Sequence, residues 1–260
     1  MPHTSRKKHT LTNKRLQVTD DSGWTHITTG GNRTRARRVP RDGDGDDDAD
    51  QLRPAEAPSS TTLADLQTQL TTYQRSWVAS PTCAVVRDAV HEMAASPITN
   101  VVCIGLGSPS GFLRGGWVDR RSVSMYQLAA LVSVIEELHA SSADTIPVPV
   151  YAQDPVFNAL DESLLAALHI SVVQHPAAFD EISSRTLLFC PGAERAHLEE
   201  LLRRPEERLP AGLIGGPLED AEPEAISRFA RARRSVRLPV FEDQEHAFWN
   251  MRVYLPAEER

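Results

Sequence analysis

Asn100-Val101-Val102-Cys103-Ile104-Gly105-Leu106-Gly107-Ser108 is the stretch that decides the fold. Four consecutive apolar residues, followed at once by two glycines and a serine, predict a buried strand that runs into a tight turn. Glycine has no Cβ, so it adopts positive φ easily and lets a ligand or another backbone come close. In a parallel α/β sheet a turn of this kind lies at the carboxyl edge, which is where such sheets bind their ligands.

The sequence on either side of this stretch alternates between helical and extended patterns. The alternation predicts a three-layer, doubly wound α/β domain with a mainly parallel sheet, to which the last two strands add an antiparallel edge. Apolar spacing predicts helices over residues 62–78, 83–95, 123–139, 160–168, 198–202 and 222–232. It predicts strands over residues 100–104, 147–151, 170–173, 186–190, 212–216, 236–241 and 251–255. Pro147 and Pro149 are expected to place the second strand near an edge.

Composition limits the classes of function. The 260 residues, of which 40% are hydrophobic, are enough for one core of ordinary size. A net charge of −7 disfavours nonspecific binding to nucleic acid, which depends on lysine and arginine. Three widely separated cysteines suggest neither a disulfide framework nor a zinc site. Because no stretch approaches the roughly 20 apolar residues of a membrane helix, we expect a cytoplasmic protein that also enters the nucleus.

Residues 1–61 are expected to form a charged, disordered tail, whereas residues 62–260 form the single domain. Residues 33–41 contain five arginines, and residues 42–50 contain six aspartates. A segment of this composition cannot bury enough apolar area to offset the loss of chain entropy. The basic run is either a nuclear-localisation patch or a solvated linker. Within the tail, the turn, aromatic ring and alternation around Trp24 and His26 suggest a short motif that docks on a partner protein.

Three motifs taken in order resemble one known family. They are Ile104-Gly105-Leu106-Gly107-Ser108, Tyr126-Gln127-Leu128-Ala129 and Asp154-Pro155-Val156-Phe157, and Gly23-Trp24-Thr25-His26 looks like the family's amino-terminal signature. This ordered set resembles the SRR-like family, named for plants with reduced sensitivity to red light. The resemblance covers roughly residues 60–255. It implies a Rossmann-like fold and an association with circadian-clock input and with the regulation of haem biosynthesis. It brings no established reaction and no known cofactor.

The chain departs from the family pattern at three later places. Cys190-Pro191-Gly192 lacks the histidine of the family's proline-histidine-cysteine run. Gly215-Gly216-Pro217 replaces a glycine-asparagine-serine strand end, and the segment that begins at Phe241 lacks an asparagine. If those positions bind a ligand in relatives, this member has an altered site.

The glycine turn and Asp154 each allow two interpretations. Gly105, Gly107 and Ser108 could cradle a nucleotide or S-adenosylmethionine through backbone N–H groups, or could form a purely structural turn. The third glycine of a dinucleotide-binding loop is absent, because position 110 is Ser110. Asp154 follows the second strand, where it could accept hydrogen bonds from a ribose or cap the turn that begins at Pro155. We group both with Gln127 as the candidate ligand-binding residues.

Other chemistry is weakly indicated. Arg114, Arg120 and Arg121 either hold an anion above the sheet or are solvated loop charges. Cys103 and Cys190 are predicted to be inert core residues. The sequence contains no Gly-x-Ser-x-Gly elbow, Walker loop or His-Glu-x-x-His pair, which removes the common hydrolase and NTPase interpretations.

Two hypotheses about function remain. In the first, the protein is a noncatalytic regulatory protein with protein partners. In the second, it is an S-adenosylmethionine- or nucleotide-binding enzyme or sensor of methyltransferase-like type. No catalytic residue and no metal ligand is assigned under either.

Overall fold

A computed structural model describes residues 15–19, 25–29, 54–94, 97–112, 119–141, 147–219 and 224–257. It divides into two units, Met1–Ala49 and Asp50–Arg260. In the first unit, strands β1 (Arg15–Thr19) and β2 (Thr25–Thr29) pair antiparallel, with Val18 opposite His26. Only the backbone of these two strands is described.

The second unit contains seven α-helices, one 3-10 helix (Glu206–Arg208) and seven strands within its described residues. The helices are α1 Leu63–Val78, α2 Pro81–Met93, α3 Arg120–Ser141, α4 Ala159–Ala167, α5 Ala177–Asp180, α6 Arg195–Leu202 and α7 Glu224–Arg231. The strands are β3 Asn100–Ile104, β4 Val150–Gln153, β5 Ser171–Val172, β6 Thr186–Cys190, β7 Gly212–Gly215, β8 Arg233–Arg237 and β9 Arg252–Pro256.

These strands form one sheet in the order β5-β4-β3-β6-β7-β9-β8. The first five strands of this order are parallel, and β9 runs antiparallel to both β7 and β8. The predicted doubly wound sheet with an antiparallel edge is therefore confirmed. Because β3 has β4 on one side and β6 on the other, the direction of winding reverses at the carboxyl end of β3.

Two hydrophobic cores cover the two faces of the sheet. Alternate residues of β3 point into different cores, as the pleat requires. Val101 and Cys103 belong to the core built with α1, α2, α3 and α4, whereas Val102 and Ile104 belong to the core built with α5, α6 and α7. All five residues of β3 are buried. The result is a three-layer, Rossmann-like α/β domain.

Some predicted elements are displaced. The second strand, β4, begins only at Val150, so Pro147 and Pro149 precede it and cost it no ladder hydrogen bond. It lies inside the sheet, between β3 and β5. The strand predicted at 236–241 is instead β8, Arg233–Arg237. Charged side chains are tolerated on the last strand of a sheet. Because three of the five residues of β8 are arginines, the strand does not show the apolar alternation from which a strand is predicted.

Candidate functional site

The turn after β3 has the geometry that glycine allows. Gly105 has φ +75° and Gly107 has φ +72°, both in the left-handed region. The Gly105 N–H donates to the carbonyl oxygen of Gln153 at 3.3 Å. This bond continues the pairing of β3 with β4, so the turn begins directly at the carboxyl edge of the sheet.

Asp154 lies beside the same turn. Its Oδ2 accepts a hydrogen bond from the Gly107 N–H at 2.7 Å, and its Oδ1 accepts one from the Val156 N–H at 3.0 Å. Burial raises the pKa of the Asp154 carboxyl above its ordinary value, although both N–H donors act to lower it; the nearby Asp161 and Glu194 also raise it. Asp154 therefore lies next to the glycine turn, and its carboxylate already has two partners from the protein.

A second carboxylate fixes the rest of the turn. Asp161, at the start of α4, is fully buried. It accepts hydrogen bonds from the Ser108 hydroxyl at 2.6 Å, from the Ser110 N–H at 2.8 Å and from the Asn158 N–H at 3.1 Å. The Ser108 hydroxyl oxygen in turn accepts a hydrogen bond from the Gly111 N–H at 2.8 Å. The sequence analysis assigned Ser108 but missed Asp161, which an Asn-x-x-Asp capping box at the start of a predicted helix could have indicated.

The chain before α1 is attached to the same place. The Ala55 N–H donates to Val156 O at 2.8 Å, and the Asn158 amide donates to Ala55 O at 3.0 Å. The Phe112 N–H donates to Glu56 O at 3.0 Å. Residues 54–56 therefore bind across the glycine turn and the start of α4, although they precede the predicted domain boundary at residue 62.

Gln127 makes its contact elsewhere. Its buried amide donates to the carbonyl oxygen of Ala247 at 2.8 Å. Residues 241–250 pack against α1 and α3 here, where the rings of Trp77 and Phe248 lie 4.7 Å apart. Of the residues grouped as a candidate ligand site, Gly105, Gly107, Ser108 and Asp154 lie together, and Gln127 holds the segment after β8.

The glycine after β6 closes the space beside Gly105. A Cβ on Gly105 would lie 2.6 Å from Gly192 O and 2.5 Å from Ala193 N, and a Cβ on Gly192 would lie 2.6 Å from Gly105 O. The two turns are thus in backbone contact at the point where the winding of the sheet reverses. That point is where an open α/β sheet ordinarily accepts a ligand.

One protein-family model matches most of this chain. A model of the SRR1 domain matches residues 67–255, which run from α1 to the end of β9 and include the glycine turn, Gln127 and Asp154. The chain belongs to the SRR1 domain family. No curated protein matches it.

Two histidines of this SRR1 domain lie at the same edge of the sheet and were not placed by any motif. His175 Nδ1 lies 3.2 Å from the Gln153 side-chain nitrogen, and the rings of His175 and His197 are 5.4 Å apart. His175 follows the end of β5, and His197 lies in the first turn of α6, the helix after β6.

The remaining candidate residues are structural, lie in the first unit or lie outside the described residues. Burial raises the pKa of Cys190 to about 12 and raises that of Cys103 well above its ordinary value, so both thiols are unreactive. Arg121 Nε donates to Pro109 O at 3.1 Å, which fixes the loop. Trp24 and Arg114 lie outside the described residues, and His26 lies in β2.

Among the described residues, no group of three or more His, Cys, Asp or Glu side chains is arranged to hold a metal ion. No described helix combines the length and the apolar character that crossing a membrane requires.

Proposed function

We propose that this SRR1-domain chain is a noncatalytic regulatory protein that acts by binding other proteins. One observation carries the proposal: the protein's own groups fill the ligand crevice of its Rossmann-like fold. The Asp154 carboxylate accepts a hydrogen bond from the Gly107 N–H, a donor that a bound phosphate would need. The backbone of Gly192 lies against Gly105 and leaves no room beside it for a Cβ.

Electrostatics at the turn support the same conclusion. Asp161 and Glu194 raise the pKa of Asp154, so three carboxyl groups interact around the glycine turn. An anionic ligand at this place would meet negative charge instead of free N–H donors, which is the reverse of the usual phosphate site. Cys103 and Cys190 offer no thiolate nucleophile.

The biological setting of the proposal comes from the family. The SRR-like family is associated with circadian-clock input and with regulation of haem biosynthesis, and we propose a role of this kind in the cytoplasm and nucleus. The partners are proteins, and the Trp24 and His26 segment is one proposed docking motif.

A ligand panel tests the proposal. Thermal unfolding of the full chain is measured with S-adenosylmethionine, nicotinamide dinucleotides, nucleoside triphosphates and haem, each over a concentration series. A ligand that binds the native state stabilises it by mass action, by about 2.7 kcal/mol at a hundred times its Kd, and therefore raises the unfolding midpoint progressively. We expect no saturable shift. A saturable shift that disappears in Asp154→Ala would contradict the observation that carries the proposal and would favour a ligand-binding enzyme or sensor.

A second candidate function is binding of S-adenosylmethionine or a nucleoside, as an enzyme or a sensor. Two observations favour it. Asp154 follows β4 next to the glycine turn, which is where nucleotide-binding folds place the carboxylate that accepts ribose hydroxyls, and each of its oxygens has a second lone pair. The insertion of antiparallel β9 between β7 and β8 also resembles the sheets of S-adenosylmethionine-dependent methyltransferases, as an analogy of fold alone. The same panel separates the two candidates.

A further inference from the structure

The strand β8 forms one open edge of the seven-stranded sheet. Within the described part of the chain it pairs only with β9. An edge strand presents a row of backbone N–H and C=O groups that can pair with another chain. Its sequence, Arg-Arg-Ser-Val-Arg, contains three arginines in five residues, in a protein whose net charge is −7.

Two of these arginines lie on one face of the strand and contact neutral groups. Arg233 donates to Pro210 O at 3.1 Å, and its guanidinium lies 4.5 Å from the centre of the Phe229 ring. Arg237 donates to the side-chain oxygen of Asn250 at 2.7 Å. In contrast, Arg234, on the opposite face, forms a salt bridge with Glu92. Among the described residues, neither Arg233 nor Arg237 forms a salt bridge. Burial lowers the pKa of Arg233, and the carboxylates that act near this face are Glu206, whose charge acts to raise that pKa, and Glu219, which accepts a hydrogen bond from Ser235 and pairs with Arg252.

Exposed apolar side chains continue this edge beyond Arg237. The pairing of β8 with β9 extends to a bond from the Leu238 N–H to Met251 O at 2.9 Å. Val240, two residues after Leu238, is 61% exposed, and Trp249, two residues before Met251, is 55% exposed. Tryptophan and arginine are the residues most enriched at the energetic centres of protein interfaces.

We propose that β8 binds an extended acidic segment of another protein, which pairs with the open edge as an additional strand. Arg233 and Arg237 are four residues apart on one face, a distance of about 13 Å at roughly 3.3 Å per residue. Carboxylates on the partner strand therefore have to be four residues apart as well, so that both face the same side and oppose the two guanidiniums. The inference rests on the proposed role as a binding protein and adds the surface and the partner's chemistry.

A designed peptide tests the spacing. The probe is a fluorescently labelled nine-residue peptide of alternating threonine and valine, with glutamates at its third and seventh positions. The control peptide has the same composition with glutamates at the third and sixth positions, which point to opposite faces of a strand. Fluorescence anisotropy with the full chain measures both affinities. We expect saturable binding of the probe, weakened by salt, and at least threefold weaker binding of the control, the factor expected for one exposed ion pair of roughly 0.7 kcal/mol.

Variants of the protein locate the binding. Arg237→Gln is expected to weaken binding of the probe about threefold to tenfold, because it removes one charge-assisted contact. Arg203→Gln, at an exposed arginine at the end of α6, serves as the matched control and leaves the affinity unchanged. Hydrogen exchange of residues 233–237 slows in the complex. Equal affinity for the two peptides, or no effect of Arg237→Gln, overturns the proposal and leaves the arginines as protection against edge-to-edge aggregation.

The two proposals fail independently. A nucleotide that stabilises the chain through Asp154 would favour the ligand-binding candidate without changing the affinity of β8 for the probe. Failure of the probe to bind would remove the β8 surface and leave the outcome of the ligand panel unaffected.

Discussion

Gly105 shows how one missing Cβ determines the carboxyl edge of this sheet. Its φ of +75° and its contact with the backbone of Gly192 both exclude a larger residue. The sequence predicted the turn, because two glycines directly after a buried strand are informative by themselves. It could not predict that the neighbour would be Gly192, since that contact joins residues 87 positions apart (192 − 105) and depends on β6 lying beside β3.

Replacement of this glycine therefore has a large expected cost. We expect Gly105→Ala to lower the free energy of unfolding by about 2–4 kcal/mol, because it adds backbone strain to an overlap with main-chain atoms that cannot move away. Gly212→Ala in β7 is the comparison variant: it has no positive φ, and its Cβ would meet the flexible end of Met93 and lie 3.2 Å from Tyr254 O, so we expect a smaller cost of about 1 kcal/mol. Urea denaturation measures both. Equal costs would contradict the contact.

Asp154 gives the stability an unusual dependence on pH. Burial places its pKa above the unfolded value near 3.8, so the native state binds the proton more tightly than the unfolded chain does. The stabilisation due to this proton is complete below pH 3.8 and is lost as the pH rises through the raised pKa. The free energy of unfolding of the wild type, minus that of Asp154→Asn, should therefore increase as the pH falls through this window.

Urea titrations at a series of pH values measure this difference. Glu200→Gln, at an exposed position of α6, controls for the general effect of removing one negative charge. If the difference between wild type and Asp154→Asn stays constant or falls on acidification, the carboxyl is not held in a desolvating environment.

At the scale of elements, the start of α4 organises the site more than any single strand does. Asn158 and Asp161 cap the helix reciprocally, and Asp161 also holds Ser108 and Ser110 of the glycine turn. A carboxylate with three hydrogen-bond donors and no exposure connects the helix to the turn. Sequence patterns predicted the helix, because its leucines are periodic. They did not predict the connection, which is a tertiary contact between residues about 50 positions apart.

Removal of this carboxylate is expected to separate the helix from the turn. Asp161→Ala should cost about 3–5 kcal/mol, because it leaves buried donors without an acceptor. Glu162→Ala, at the next and exposed position, should change the unfolding free energy by less than about 0.5 kcal/mol. Hydrogen exchange of residues 107–111 should accelerate only in Asp161→Ala. Similar exchange in the two variants would show that the turn does not depend on the helix.

Other elements were predicted less well for a common reason. β8 was expected at residues 236–241 but begins at Arg233, because an edge strand needs no apolar alternation. Gln127, predicted from its family motif, contacts Ala247 in a segment without regular structure, which no periodicity describes. In both places polar groups at the border of the sheet decide the structure, and hydrophobic patterns carry little information there.

At the scale of the whole molecule, the chain before α1 contributes to the domain. Deletion of residues 1–61 should lower the midpoint of thermal unfolding relative to deletion of residues 1–53, because only the longer deletion removes the three hydrogen bonds made by residues 55 and 56. At about 1 kcal/mol for each net hydrogen bond, the shift should be several degrees. Circular dichroism of the two truncated proteins measures it, and identical midpoints would place the domain boundary at residue 62.

Because every thiol is buried, the reactivity of the cysteines measures local unfolding of the protein. Cys83, Cys103 and Cys190 are all of the cysteines in the chain, and each is at most 2% exposed. An alkylating reagent can therefore reach a sulfur only when α2, β3 or β6 detaches from the core. The order in which the three cysteines are alkylated gives the order in which these elements open. Mass spectrometry of the alkylated wild-type protein can therefore rank the local stability of α2, β3 and β6.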